Sequence, residues 1–132
     1  MKVIDKLAWI EIQDKKILST RSKGKTVWYI PGGKREENES DIAALTREIK
    51  EELNVDLLEE SIEYVGTFEA QADGHATGVI VKMQCYSSNY SGQLQASSEI
   101  AEMAWLDRSD WDRIAAVDKI IFTYLHQRNL IN

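Results

Sequence analysis

The sequence predicts an α+β or α/β sandwich with a mixed central sheet, and three observations predict it. Apolar residues cluster or alternate in short, strand-length stretches through most of the chain. Two other stretches, residues 40–53 and 111–127, repeat their apolar residues with the period of a helix. The strand-like stretches fall before, between and around these helices, an order that suits layers packed on one another. The 132 residues contain no internal repeat, low-complexity tract or linker, so one domain spanning 1–132 is expected.

In chain order, residues 3–13 and 16–21 flank Gln13-Asp14-Lys15-Lys16 and read as strand, turn and strand. Ser22 to Lys25 is a loop, and Val27-Trp28-Tyr29-Ile30 is a short apolar strand. It ends at Pro31-Gly32-Gly33, the only proline of the chain followed by two glycines. Ser40 or Asp41 caps a helix to about Leu53, whose apolar positions Ile42, Leu45, Ile49 and Leu53 form one narrow stripe. Strands are expected at 62–72 and 77–87, joined by Asp73-Gly74-His75, with a third near 101–106. The run from Trp111 to Gln127 is amphipathic and reads as a second helix.

Composition narrows the function. Sixteen basic and 22 acidic side chains give a net charge of −6, which excludes an extended basic surface for nucleic acid. The excess of acid would repel a phosphorylated ligand unless cations intervene. Cys85 is the only cysteine, so no intrachain disulfide forms, and its strand-like setting without a nearby histidine reads as a buried, inert thiol. Charges interrupt the N-terminal MKVIDKLAWIEI too often for a signal peptide or membrane span, so a cytoplasmic location without membrane attachment is the expectation.

The chemistry is concentrated in GGKREENESDIAALTREIKEELNV. Glu48, Glu51 and Glu52 stand at i, i+3 and i+4, so they share a helix face, centred roughly 110° from the apolar stripe. Three such neighbours raise one another's pKa unless something positive lies among them. Clustered hard oxygen ligands suit Mg²⁺ or Mn²⁺. An acidic helix run by itself is more often a solvated face, so the surrounding residues decide. Gly33 is followed by five residues to Glu39, then seven to Arg47-Glu48-Ile49-Lys50-Glu51-Glu52-Leu53-Asn54-Val55. This resembles the Nudix box: G, five residues, E, seven residues, then R-E-aliphatic-x-E-E-x-G-aliphatic. Only Asn54 departs, standing where the family has glycine. The position ends the helix, and asparagine is the non-glycine residue best suited to positive φ.

The resemblance covers most of the chain and implies a Nudix-type α/β/α sandwich with a mixed sheet and a catalytic loop and helix. It implies that Glu48, Glu51 and Glu52 hold divalent metal, joined by the Gly32 carbonyl, while Arg47 orients a glutamate and Glu39 steadies the loop. Glu48 or Glu51 is the candidate general base. Glu99, six residues before Trp105, is the candidate ligand from outside the box, with Glu102 its rival. Arg21 and Gly33 are candidate substrate contacts, the arginine fork suiting phosphate. His75 is a further candidate on a loop. Trp9, Trp28, Tyr29 and Phe68 are core residues or a base-stacking wall. The implied reaction is Mg²⁺- or Mn²⁺-dependent, MutT-like hydrolysis of a phosphoanhydride in a nucleotide, with a nucleoside triphosphate, modified or not, as the first candidate. Nucleotide sugars, dinucleoside polyphosphates, capped RNA and a non-catalytic nucleotide sensor are the alternatives. A homodimer through apolar strand faces or the N-terminal hairpin is an open expectation.

Overall fold

The computed structural model describes residues 2–132. Its elements in chain order are β1 (Lys2–Ile10), β2 (Ile12–Gln13), β3 (Lys16–Ser22), β4 (Trp28–Tyr29), β5 (Gly32–Lys34), α1 (Asp41–Leu53), β6 (Asp56–Leu57), β7 (Glu63–Gln71), β8 (Val79–Ser87), β9 (Tyr90–Ser91), β10 (Ile100–Leu106) and α2 (Ala116–Gln127). The main sheet runs β5-β1-β8-β7. Its centre is the parallel pair β1 and β8, and β5 and β7 join antiparallel on either side, so the sheet is mixed. A second sheet orders β10-β3-β2, with β4 paired to β3.

The period-2 alternation of β1 explains the sandwich. Ile4, Ala8 and Ile10 enter a core that includes Ile121, Phe122 and Leu125 of α2. Leu7 and Trp9 enter the other core, beside Leu45, Ile49 and Leu53 of α1. Neighbouring residues of one strand thus bury themselves under different helices, and the sheet is covered on both faces. Of the four apolar positions read on α1, Leu45, Ile49 and Leu53 are fully buried in this packing surface, while Ile42 is half-buried and stands outside it.

Three element boundaries differ from the sequence reading. The N-terminal stretch 3–13 breaks at Glu11, because β1 pairs with β8 while β2 turns away to pair with β3. The connection between β7 and β8 is longer than a three-residue turn: the Gln71 side chain donates to the Ala76 carbonyl at 2.8 Å and accepts from the Gly78 N–H at 3.1 Å. The second long helix starts at Ala116, not Trp111. Asp107 caps a separate 3₁₀ turn over Arg108–Arg113, accepting from the Ser109 N–H while Asp110 accepts from the Asp107 N–H. This local capping box captures Trp111 and its neighbours before the α-helix begins. Among the described residues no helix is long and apolar enough to cross a membrane.

Candidate active site

The site is built where β5 runs into the loop ahead of α1. Gly32 adopts φ 149°, and a Cβ there would overlap the Leu7 carbonyl of β1. A Cβ on Gly33 would overlap the Glu48 carboxylate. Gly32 therefore needs glycine for its backbone and contact, while the bare Cα of Gly33 leaves the Glu48 carboxylate its present place. Helix α1 begins with the Ser40 hydroxyl accepting from the Ala43 N–H at 3.1 Å. It ends at Asn54 with φ 58° and ψ 30°, the left-handed conformation expected for the position.

The three glutamates of α1 have unlike environments. Glu52 is only 6% exposed and accepts from the Gly32 N–H at 3.1 Å. Glu48 is half-buried, while Glu51 is exposed. Helix phase explains the gradient: from the centre of the apolar stripe Glu52 stands roughly 65° away, Glu48 roughly 105° and Glu51 roughly 165°. The single outward-facing cluster expected from averaging the three is thereby corrected. Glu48, Glu52 and Glu99, together with Gly32, Gly33 and Lys6, line a cavity of about 570 Å³. Glu51 and Arg21 are not part of its lining.

Electrostatics follow from this placement. Burial pushes the Glu52 carboxyl up to about 8, and the charges of Glu48 and Glu99 add to the rise against the Gly32 N–H. Glu48 is raised by burial too, opposed by Arg47 and reinforced by Glu51 and Glu99. Glu99 is held below the ordinary range, chiefly by a hydrogen bond from Ser98. Among the described residues no three acidic, histidine or cysteine side chains close into a finished metal cage. The carboxylates instead border an open cavity.

Arg47 organises the loop. Its Nε and Nη2 each donate at 2.8 Å to a different oxygen of Glu39, Nη1 donates to Glu48 at 2.8 Å, and Nη2 also reaches the Lys34 carbonyl at 3.1 Å. Glu39 in turn accepts from the Glu36 N–H at 2.7 Å, and the Arg47 bonds, followed by this one, bring its pKa down to about 2. The same ion pairs hold Arg47 above the ordinary guanidinium value.

Other candidates fall elsewhere. Arg21 donates to Glu102 from Nε at 3.1 Å and to the Lys25 carbonyl at 2.8 Å, so the two residues occupy one another across β3 and β10. His75 is exposed on the β7–β8 connection and borders a recess of about 50 Å³ next to the cavity. Trp9 is fully buried in the α1-side core, donating to the Ser88 carbonyl at 3.3 Å. Trp28 is also buried, and Phe68 packs edge-on against Tyr124 at 5.1 Å. Of the four aromatic residues considered, only Tyr29 lines the cavity. Cys85 is buried, and burial raises its thiol pKa, which keeps it unreactive.

Two charged residues escaped the motif reading. Lys6 lines the cavity from β1, and Asp118 is wholly buried in α2. The signal available in sequence was their phase: each interrupts an apolar stripe.

Fold and site together define an α/β/α domain in which a glutamate-bearing helix and a glycine turn face a ligand-sized cavity. The family model described as NUDIX domain matches residues 7–125. The chain belongs to the Nudix hydrolase family. The CTP pyrophosphohydrolase of Escherichia coli strain K12 is 31% identical over 110 residues, spanning 80% of this chain and 76% of that protein. The Nudix hydrolase YvcI of Bacillus subtilis strain 168 is 28% identical over 97 residues, which cover 74% of this chain and 61% of the relative. The solution structure of the E. coli ORF135 protein superposes with a TM-score of 0.72 at 28% identity, covering 96% of this chain and 92% of that one. The MutT protein of Methanosarcina mazei Go1 shares the fold, with a TM-score of 0.76 at 19% identity over 97% and 96% of the two chains.

Proposed function

We propose that this domain hydrolyses a phosphoanhydride bond in a nucleoside triphosphate, giving the monophosphate, with Mg²⁺ or Mn²⁺ as cofactor. The observation that carries this reading is the convergence of Glu48, Glu52 and Glu99 with Gly32 and Gly33 on one cavity. The size of that cavity falls within the usual range for small-molecule sites. The E. coli relative is a CTP pyrophosphohydrolase, which supports a triphosphate and makes CTP the first substrate to try.

The residues fit a hard divalent ion. All the side-chain donors are carboxylate oxygens, and the high pKa of Glu52 reflects its burial first, with the acidic neighbours Glu48 and Glu99 adding to it. Glu52, Glu48 and Glu99 are the proposed ligands, with the Gly32 carbonyl. Glu51, on the outer side of the helix, is assigned to the edge of this set. When bound, the ion supplies neutralisation of the diphosphate charge and activation of water. The chain's own contribution is positioning: Arg47 fixes Glu48 at 2.8 Å, and Glu39 fixes Arg47. Glu48, half-buried at the cavity with a raised pKa, is the proposed general base in preference to Glu51. Gly33 leaves room for that carboxylate beside the substrate.

A panel of nucleotides with Mg²⁺ or Mn²⁺, with products identified by mass after reaction in ¹⁸O-water, tests the reading and locates the cleaved bond. Glu52→Gln is expected to lower kcat by at least about a hundredfold, as loss of a central electrostatic group does, while far-ultraviolet circular dichroism stays unchanged. Undiminished turnover by that variant rejects the assignment.

A further inference from the structure

Two ionisable side chains intrude into the core under α2. On β1 the residues Ile4, Lys6, Ala8 and Ile10 share a face, and the three apolar ones are buried in the α2-side core. On α2, Asp118 is completely buried in the same stripe as Val117, Ile121 and Phe122. Burying charge is costly unless it is paired or used. Neither charge is fully paired. Lys6 forms no ion pair among the described residues, and its Nζ stands 5.3 Å from the centre of the Tyr29 ring. Asp118 accepts from the Ile30 N–H at 2.8 Å with Oδ2, while Oδ1 is buried without a partner.

The placement separates their roles. Lys6 lines both the main cavity and the small recess beside it, with Tyr29 and Met83 common to both walls. Its ammonium is therefore available to a ligand. The free oxygen of Asp118 is enclosed, and Asp118 lines neither space. The recess reaches Val117 of α2, so Lys6 stands where the cavity passes from its carboxylate side toward α2. A phosphate group belongs among the carboxylates and their cation. What remains for the α2 end is the other half of a nucleotide: a flat ring that can lie against Tyr29 and Met83, with an edge that offers an acceptor to an ammonium.

We propose that Lys6 is a specificity-determining contact for the nucleobase, donating to a carbonyl or ring-nitrogen acceptor on its edge. The assignment rests on the nucleotide reading above. It makes base selectivity a property of one β1 residue outside the glycine-and-glutamate stretch.

The test compares wild type, Lys6→Met and Lys6→Leu on ATP, CTP, GTP and UTP, and on inorganic triphosphate. Calorimetric binding of the four nucleoside monophosphates without metal runs in parallel. Lys6→Met is expected to reduce kcat/KM for the preferred nucleotide by about tenfold or more, the worth of one buried polar contact. The loss should fall in KM, the ratio between best and worst base should shrink toward one, and turnover of inorganic triphosphate, if the wild type shows any, should not change. Lys6→Leu guards against a folding defect peculiar to the methionine variant. Unchanged base ranking and ratio in both Lys6 variants overturns the proposal. So does an equal loss on all five substrates, which makes Lys6 a phosphate contact. If wild type cleaves none of the triphosphates, the proposed function fails separately. Monophosphate binding then decides Lys6: base discrimination present in wild type and lost in the variants supports it, and no discrimination in wild type overturns it.

Discussion

At the scale of the residue, Arg47 shows how position in a motif becomes a job. Its guanidinium spends two N–H groups on Glu39, one on Glu48 and one on the Lys34 carbonyl. A lysine at this place keeps the charge but has no planar fork to hold both Glu39 oxygens while reaching Glu48. Arg47→Lys is therefore expected to lower kcat by about ten- to a hundredfold, the usual cost of removing a group that orients a ligand, with little change in KM or in circular dichroism. Steady-state kinetics on the best substrate of the panel checks this, and a wild-type kcat would show that Glu48 needs no such support. The role of Asn54 was legible beforehand, because a residue that ends a helix at positive φ is constrained by backbone sterics alone, and Asn54 does take φ 58°. The pairing of Arg21 with Glu102 was not legible. It depends on β3 lying beside β10, a long-range fact that neither residue's local sequence encodes.

At the scale of the element, α1 does two things with one amphipathic surface. Leu45, Ile49 and Leu53 are fully buried against Leu7, Trp9 and Leu18, and this packing fixes the rotation of the helix about its axis. That rotation sets how deeply each glutamate sinks. The period of the stripe could be read from sequence, and so could the grouping of the three carboxylates. Their ranking by burial was present in the same angles but was lost by treating the group as one face. Leu45→Ala should cost about 2–5 kcal/mol by leaving a cavity in this core. Urea denaturation of the metal-free variant measures it, and a loss below about 1 kcal/mol would mean the helix settles into a new rotation instead. The start of α2 illustrates a different limit. The amphipathic pattern runs through Trp111, but the Asp107 cap closes a 3₁₀ turn there, and local side-chain hydrogen bonds outrank periodicity over so short a span.

At the scale of the whole molecule, the two faces of the sheet each bury one carboxyl group that would rather be neutral. Glu52 lies on the α1 side with its pKa pushed up to about 8, and Asp118 on the α2 side with its pKa raised to about 7, both chiefly by burial. Unfolding returns each to the ordinary carboxylate range, so between about pH 5 and 8 the folded chain holds protons that the unfolded chain has released. Stability must then fall as pH rises through this window, by an amount of order a few kcal/mol for the pair. The carboxyls with lowered pKa, Glu39, Asp41, Glu99 and Asp107, act in the opposite sense but below this window, where protonation removes their contribution. Glu48 and Glu11 are raised by burial as well and act in the same sense, but the contributions of Glu52 and Asp118 are separable. A divalent ion bound at Glu52 would favour its charged form and recover that part of the loss, whereas Asp118→Asn removes the other part and keeps an acceptor for the Ile30 N–H. Urea midpoints at pH 5 and pH 8, in chelator and in Mg²⁺, for wild type and Asp118→Asn, resolve the two contributions. The expected order at pH 8 places metal-free wild type lowest, either single relief above it, and the metal-loaded Asp118→Asn variant highest. A metal-free wild-type midpoint that stays level or rises from pH 5 to pH 8 would mean that neither carboxyl keeps its proton in the folded state.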